Sequence, residues 1–409
     1  MTSLDIRVDP TSMGFDPARL ERLRTHFDQY VTDGKLPGWL ITVARGGELV
    51  WTGKGGYRDR ERQLEVTDDT VWRIYSMTKP IVSIAAMMLY EEGTFDLNDE
   101  VGQWIEALKE PQIFVGGTAQ NPETAAADGP LRIIHLMTHT SGLTYDFQRS
   151  HPVDEMYRNK GYDFGKANGA DLAQAMNDLC SCPLLFEPGT NFNYSVATDV
   201  LGRLVEIWSG QPLDVFLKER VLEPLGMFDT DFWCPPEKED RLAMLYLHFG
   251  GETFPWEDVA KHALHKPRML SGGSGLESTA HDYQRFMTML LRGGELDGVR
   301  LVSSRTLELM TQNHLPGNVD LQEFAVDSYR DIDQAGIGFG LGFAVVVDPV
   351  KNKSLISEGS FYWGGAASTL FWVDPADGLT VSFYTQLMPP GTYPIRRELV
   401  QLVYQALVD

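Results

Sequence analysis

The chain is poor in cysteine, in positive charge and in long apolar runs, and each shortage removes a class of protein. Its 409 residues hold three cysteines, Cys180, Cys182 and Cys234. An odd number with a Cys-x-Cys spacing makes neither a disulfide framework nor a zinc pattern, so reduced structural thiols are expected. Lys and Arg total 35 against 57 Asp and Glu, a net charge of −22. That field repels phosphate backbones and anionic bilayers, so neither nucleic acid nor a membrane is an expected partner. It also disfavours anionic substrates. No window approaches the roughly eighteen uninterrupted apolar residues of a transmembrane helix. The first ten residues lack a cationic start followed by an apolar stretch, so a cytoplasmic location is expected. There is no internal repeat and no Gly-x-Ser-x-Gly elbow, because Gly272-Gly273-Ser274-Gly275 runs into Leu276. That argues against an α/β-hydrolase.

What is present is an ordinary globular composition, 43% hydrophobic and 22% charged, long enough for two or three domains. Residues 17–33 carry Leu20, Leu23, Phe27, Tyr30 and Val31 at helical spacing. Trp39–Ala44 and Glu48–Thr52 flank Arg45-Gly46-Gly47, a hairpin pattern. Between about 100 and 265 the chain turns helical, at 171–179, 197–208 and 212–221, with long loops such as 116–130 and 232–240. The C-terminal third opens a helix at Thr279 with a capping-box pattern, then runs rich in β-branched and aromatic residues at 339–347, 354–358, 366–373 and 380–386. Asp377-Gly378 is a hairpin turn, and 395–408 is a closing amphipathic helix. The expected fold is α+β. A central antiparallel sheet from both chain ends (1–100 and 266–409) is flanked by terminal helices, and a mainly helical domain (101–265) is inserted.

Ser76-Met77-Thr78-Lys79 is the stretch that carries chemistry. On a helix, residues three apart share a face, so a serine hydroxyl and a lysine amine can meet. With 20 Ser and 12 Lys in the chain, chance supplies roughly 0.6 such pairs, so the tetrapeptide needs partners. An activated nucleophile requires a proton relay and two amides for an oxyanion. Tyr194 closes the turn-rich loop from Phe186, just before a helix. Trp363-Gly364-Gly365-Ala366 is expected to begin a strand, its glycines allowing close backbone approach by a ligand. His135 and His139, at helical spacing, are expected to be structural, since no carboxylate completes a metal-ligand pattern.

Ser76-x-x-Lys79, Tyr194-Ser195-Val196 and Trp363-Gly364-Gly365 resemble, in order and spacing, the three motifs of the class C β-lactamase and penicillin-recognising serine hydrolases. His135–Leu143, Pro224–Met227 and Gly272–Ala280 resemble further landmarks of that superfamily, over about residues 15–405. Two departures redirect the reading. The third motif of those β-lactamases starts with a lysine that attracts the drug's carboxylate, and this chain has Trp363. The second usually ends in asparagine, and this chain has Val196. Trp-Gly-Gly is similar instead to the family VIII carboxylesterases.

The resemblance implies Ser76 as nucleophile, Lys79 and Tyr194 sharing the base and acid duties, and the Ser76 and Ala366 amides as oxyanion hole. It implies no metal and no cofactor, and does not say which of Lys79 and Tyr194 is the base. Trp363, Gly364, Gly365, Tyr145, Phe147 and Phe361 are the expected substrate-binding residues, with Phe192, Trp233 and Tyr362 as further aromatic candidates. The expected activity is a serine carboxylesterase acting on small, uncharged, short-acyl esters, with weak β-lactam turnover. The rivals are a β-lactamase or D,D-peptidase, an acyltransferase using the same site, and a non-catalytic scaffold.

Overall fold

The first helix begins where the sequence supplies both a cap and a rigid start. Asp16 accepts hydrogen bonds from the Ala18 and Arg19 amides, and Pro17 takes the first helical position, where no N–H is needed. This computed structural model describes residues 4–163, 166–167, 169–326 and 334–408. In it that helix, α1, spans Pro17–Thr32 and buries Leu20, Leu23, Phe27 and Tyr30 along one stripe.

Among the described residues the largest sheet has eight strands, all from the two ends of the chain. The N-terminal part gives β1 (Gly38–Arg45), β2 (Glu48–Asp59) and β3 (Leu64–Glu65). The C-terminal part gives β4 (Ile337–Phe339), β5 (Ala344–Val346), β6 (Phe361–Gly364), β7 (Leu370–Asp374) and β8 (Leu379–Tyr384). The spatial order is β4-β5-β6-β7-β8-β1-β2-β3, and every neighbouring pair is antiparallel. The two ends are joined at β1–β8, where Ile41 faces Phe383.

Four further helices matter for the site: α2 (Thr78–Glu91), α3 (Ala197–Ser209), α4 (Ala280–Leu291) and α5 (Ile395–Tyr404). Strand alternation sorts the sheet residues between two helical layers. On one face Phe27 of α1 packs 5.1 Å from Phe383 and 5.8 Å from Trp39, while Tyr404 of α5 stacks on Trp372. On the other face Gln284 of α4 accepts from Thr42 and donates to Thr380, and Tyr283 packs on Phe371. Residues 101–265 add no strand to this sheet. Their helix α3 packs against α2, and their strand at Tyr246–Phe249 pairs in parallel with Leu387–Met388.

Several local expectations change. The run 339–347 is two strands, because Gly342 sits at φ 96° and a Cβ on Gly340 would lie 2.1 Å from the Met310 carbonyl. Residues 354–358 form no strand; the pairing segment is Phe361–Gly364. Trp363-Gly364-Gly365-Ala366 therefore ends a strand instead of beginning one. The next strand starts at Leu370, after a turn with Ser368 at φ 65°. The expected loop 116–130 contains part of an exposed hairpin, Gln112–Gly117 with Pro122–Ala126. At α4 only half of the capping box forms. Thr279 accepts from the Asp282 amide, but the Asp282 carboxylate turns to the Asp229 amide and the Thr230 hydroxyl.

Two predictions follow from this packing. Phe27 is fully buried, so Phe27→Ala is expected to cost about 3–5 kcal/mol in urea unfolding, and a loss under about 1 kcal/mol would contradict the layer contact. A Cβ on Gly365 would lie 2.4 Å from the Ile74 carbonyl oxygen and 2.2 Å from Thr369 Oγ1. Gly365→Ala is expected to destabilise by about 1–3 kcal/mol, while Gly129→Ala, with open space around it, leaves the unfolding midpoint in place.

Candidate active site

Ser76 sits in a one-turn 3-10 segment, Tyr75–Met77, that feeds directly into α2. Pro80 falls in the first turn of α2, where it breaks no helical hydrogen bond. The turn is held on several sides. The Ile74 amide donates to Leu276 O, and the Leu276 amide donates to Thr78 Oγ1, at 3.1 Å each. Trp72–Arg73 pairs with Glu277–Ser278, and Tyr283 of α4 donates to the Met77 carbonyl at 2.9 Å. Tyr75 is left-handed at φ 43°, a conformation that costs a non-glycine residue roughly 1–2 kcal/mol. This anchoring offsets that cost and leaves Ser76 half-buried.

Lys79, one helical turn on, is 1% exposed. Its Nζ lies 3.2 Å from Ser76 Oγ, 2.9 Å from the Tyr145 hydroxyl and 2.8 Å from the Gly273 carbonyl oxygen. It also sits 4.5 Å from the centre of the Tyr194 ring. Burial pulls its pKa down from 10.5 to about 7, against the opposing charge of Asp199. A lysine that shares its proton with solvent near neutrality can accept one from a serine 3.2 Å away.

Tyr194 is buried in an aromatic cluster that fixes its ring. His139 lies 4.8 Å from it, Trp363 5.3 Å and Tyr145 5.4 Å. Trp363 Nε1 donates to the Tyr194 hydroxyl at 3.4 Å. His139 is fully buried, with Nδ1 3.3 Å from Ser195 Oγ. Burial and the nearby Lys79 hold its pKa well below the ordinary value, so it serves as a neutral ring. His135 Nδ1 accepts from the Arg132 amide and is likewise held down, to about 4.

The structure thus brings Ser76, Lys79, Tyr194, Tyr145 and Trp363 together. Phe147 stacks on Tyr145 at 4.6 Å and is 41% exposed at the rim. Phe361 lies one pleat behind Trp363, buried against Phe343. Phe192 packs behind His139, and Tyr362 takes the opposite face under Arg396. The close approach that Gly364 and Gly365 permit is to the chain itself, at Arg396, Thr369 and Ile74. Ala366 lies in the turn after β6 and shares a small apolar cluster with Tyr75. Its amide makes no backbone hydrogen bond among the described residues.

Asp199, five residues after Tyr194 on α3, had no signal in the motifs: its carboxylate reaches the site through the Gly273 amide, which spacing does not report. Gly273 falls within the Gly272–Ala280 landmark, but the contact of its carbonyl with Lys79 was not readable from it. Among the described residues no group of three or more His, Cys, Asp or Glu is placed to hold a metal ion. No helix among them is long and apolar enough to cross a membrane.

Comparison with known proteins identifies the family and the fold. The Beta-lactamase family model matches residues 23–405. Protein Rv1367c of Mycobacterium tuberculosis is 34% identical over 87% of each chain. Esterase EstB of Burkholderia gladioli is 31% identical over 97% of this chain and 98% of its own. Among solved structures, EstCE1, described as a hydrolase with promiscuous acyltransferase activity, superposes with a TM-score of 0.80 at 27% identity, covering 97% of this chain and 99% of its own. The chain belongs to the beta-lactamase family and is a serine hydrolase.

Proposed function

We propose that the protein is a carboxylesterase of the family VIII type, cleaving small, uncharged, short-acyl esters through an acyl-enzyme on Ser76. The observation that carries this is the buried Lys79 amine, 3.2 Å from Ser76 Oγ with its pKa near 7. As Ser76 Oγ bonds to the ester carbonyl carbon, Lys79 takes its proton. The Ser76 and Ala366 amides receive the oxyanion. The C–O bond to the alcohol then breaks, and the leaving oxygen gains a proton through Tyr194 or Lys79. Water repeats the attack and frees the acid. Trp363, standing where the resembling β-lactamases carry a lysine, favours an uncharged ester flanked by apolar groups over an anionic lactam. The similarity to Esterase EstB supports an ester as the substrate. Three free, buried thiols fit a reducing compartment.

Transfer of the acyl group to an alcohol instead of water is the second reading, favoured by the likeness to EstCE1. Product analysis with added alcohols separates the two: ester products growing with alcohol concentration mark transfer.

A p-nitrophenyl ester panel of rising acyl length, run beside nitrocefin, is expected to show fastest release for short acyl groups and slow nitrocefin turnover. Ser76→Ala is expected to lose at least about a thousandfold in kcat, and full activity in that variant would overturn the reading. Because Lys79 must be neutral to accept a proton, kcat/KM is expected to rise with pH up to about 7 and flatten above it. A limb near 10 would overturn a base whose pKa is lowered to about 7.

A further inference from the structure

Among the described residues Asp199 is the carboxylate whose charge acts on Lys79, and the active-site chemistry above gives it no task. It is 1% exposed on α3. Its Oδ1 accepts from Ser271 Oγ at 2.5 Å and from the Gly273 amide at 3.1 Å. The carbonyl of the same Gly273 accepts from Lys79 Nζ at 2.8 Å. One residue thus links carboxylate to amine, its amide bonded to one and its oxygen to the other. A Cβ there would lie 2.5 Å from Asp199 Oδ2 and 3.0 Å from the Tyr145 hydroxyl, so only glycine fits the gap. Asp199 Oδ2 is buried and has no hydrogen-bond partner among the described residues.

An incompletely satisfied buried carboxylate is costly, and a neutral amide of the same shape would cost less. Its position beside the lysine points to a use for its charge. Burial raises its carboxyl pKa above the ordinary value, and Lys79 and the two Oδ1 donors oppose that rise. The ionisable groups that face Lys79 are Asp199 from α3, Tyr145 and Tyr194 from the two loops over it, and His139, which is buried and neutral.

We propose that Asp199 is a positioning residue of this site, holding the Gly273 carbonyl against Lys79 and supplying the buried negative charge that sets the pH at which Lys79 becomes a base. This rests on Lys79 being the base of the proposed reaction, but it is tested without substrate. Removing the charge leaves burial unopposed, so Lys79 loses its proton at lower pH.

The test is an NMR titration of Lys79 in protein labelled with carbon-13 at the lysine ε position, the signal assigned by its absence in Lys79→Met. In Asp199→Asn, which keeps the shape and both hydrogen bonds to Oδ1, the midpoint is expected to fall by about one pH unit or more. Ser271→Ala removes one of those bonds and keeps the charge, so its midpoint should stay nearer the wild type. Unfolding midpoints confirm that each variant is folded, and Asp199→Ser gives the same readout should the asparagine variant not fold. Coincident midpoints in wild type and Asp199→Asn would overturn the proposal, whatever the ester assays show. Where ester turnover is present, the acid limb of kcat/KM should move with the NMR midpoint, and a limb that stays put while the midpoint moves would separate Asp199 from the chemistry.

Discussion

Burial of the Lys79 amine is the constraint around which the other parts are arranged. An ammonium taken out of water loses several kcal/mol of hydration unless it is paired or sheds its proton. Here it meets two hydroxyls, one carbonyl and two aromatic faces at hydrogen-bonding or cation–π distance, with a carboxylate just behind. None of these is a strong direct ion pair. The amine is therefore held between its two protonation states, with its pKa near 7. A direct salt bridge would have kept it charged, and a purely apolar pocket would have kept it neutral.

The scaffold explains how such a site stays closed. The turn that carries Ser76 is tied to residues 276–278 on one side and to α4 beneath. The turn after β6 approaches from the other side, close enough that only glycine fits at 365. The eight-stranded sheet aligns β6 with that turn, and the β1–β8 junction makes the sheet continuous between chain ends. Ser76 comes from the N-terminal part of the sequence and the Trp-Gly-Gly segment from the C-terminal part. Neither could reach the other without that junction.

Much of this was legible in the residues, and the failures have physical reasons. Asp16-Pro17, Arg45-Gly46-Gly47 and Asp377-Gly378 carry local turn and cap chemistry, so their elements fall where the pattern puts them. Residues 354–358 imitate a strand in composition, but which segment pairs with β5 and β7 is a long-range choice. The run 339–347 looks continuous until the two glycines that let it fold back, Gly340 and Gly342, are weighed. At the site, Tyr194 and Lys79 were readable because motif order supplied context. Tyr145 was read as a pocket wall, since an aromatic residue does not announce what its hydroxyl will meet. Asp199 was invisible, because its carboxylate meets the backbone amide of Gly273, 74 positions away; Gly273 stood within a quoted landmark, but nothing there announced what its carbonyl would meet.

The alternation along β6 has a further consequence. Trp363 projects its indole towards Tyr194, and Gly365, on the same face two residues on, seals against Ile74. The end of β6 and the turn that follows it thus hold one position defined by a large side chain and, two residues on, one defined by the lack of a side chain. The first sets the ring of Tyr194, and the second sets the registration of the turn that carries Ser76. A shift of this short segment would therefore disturb both groups together, so the separate halves of the site share a single ruler.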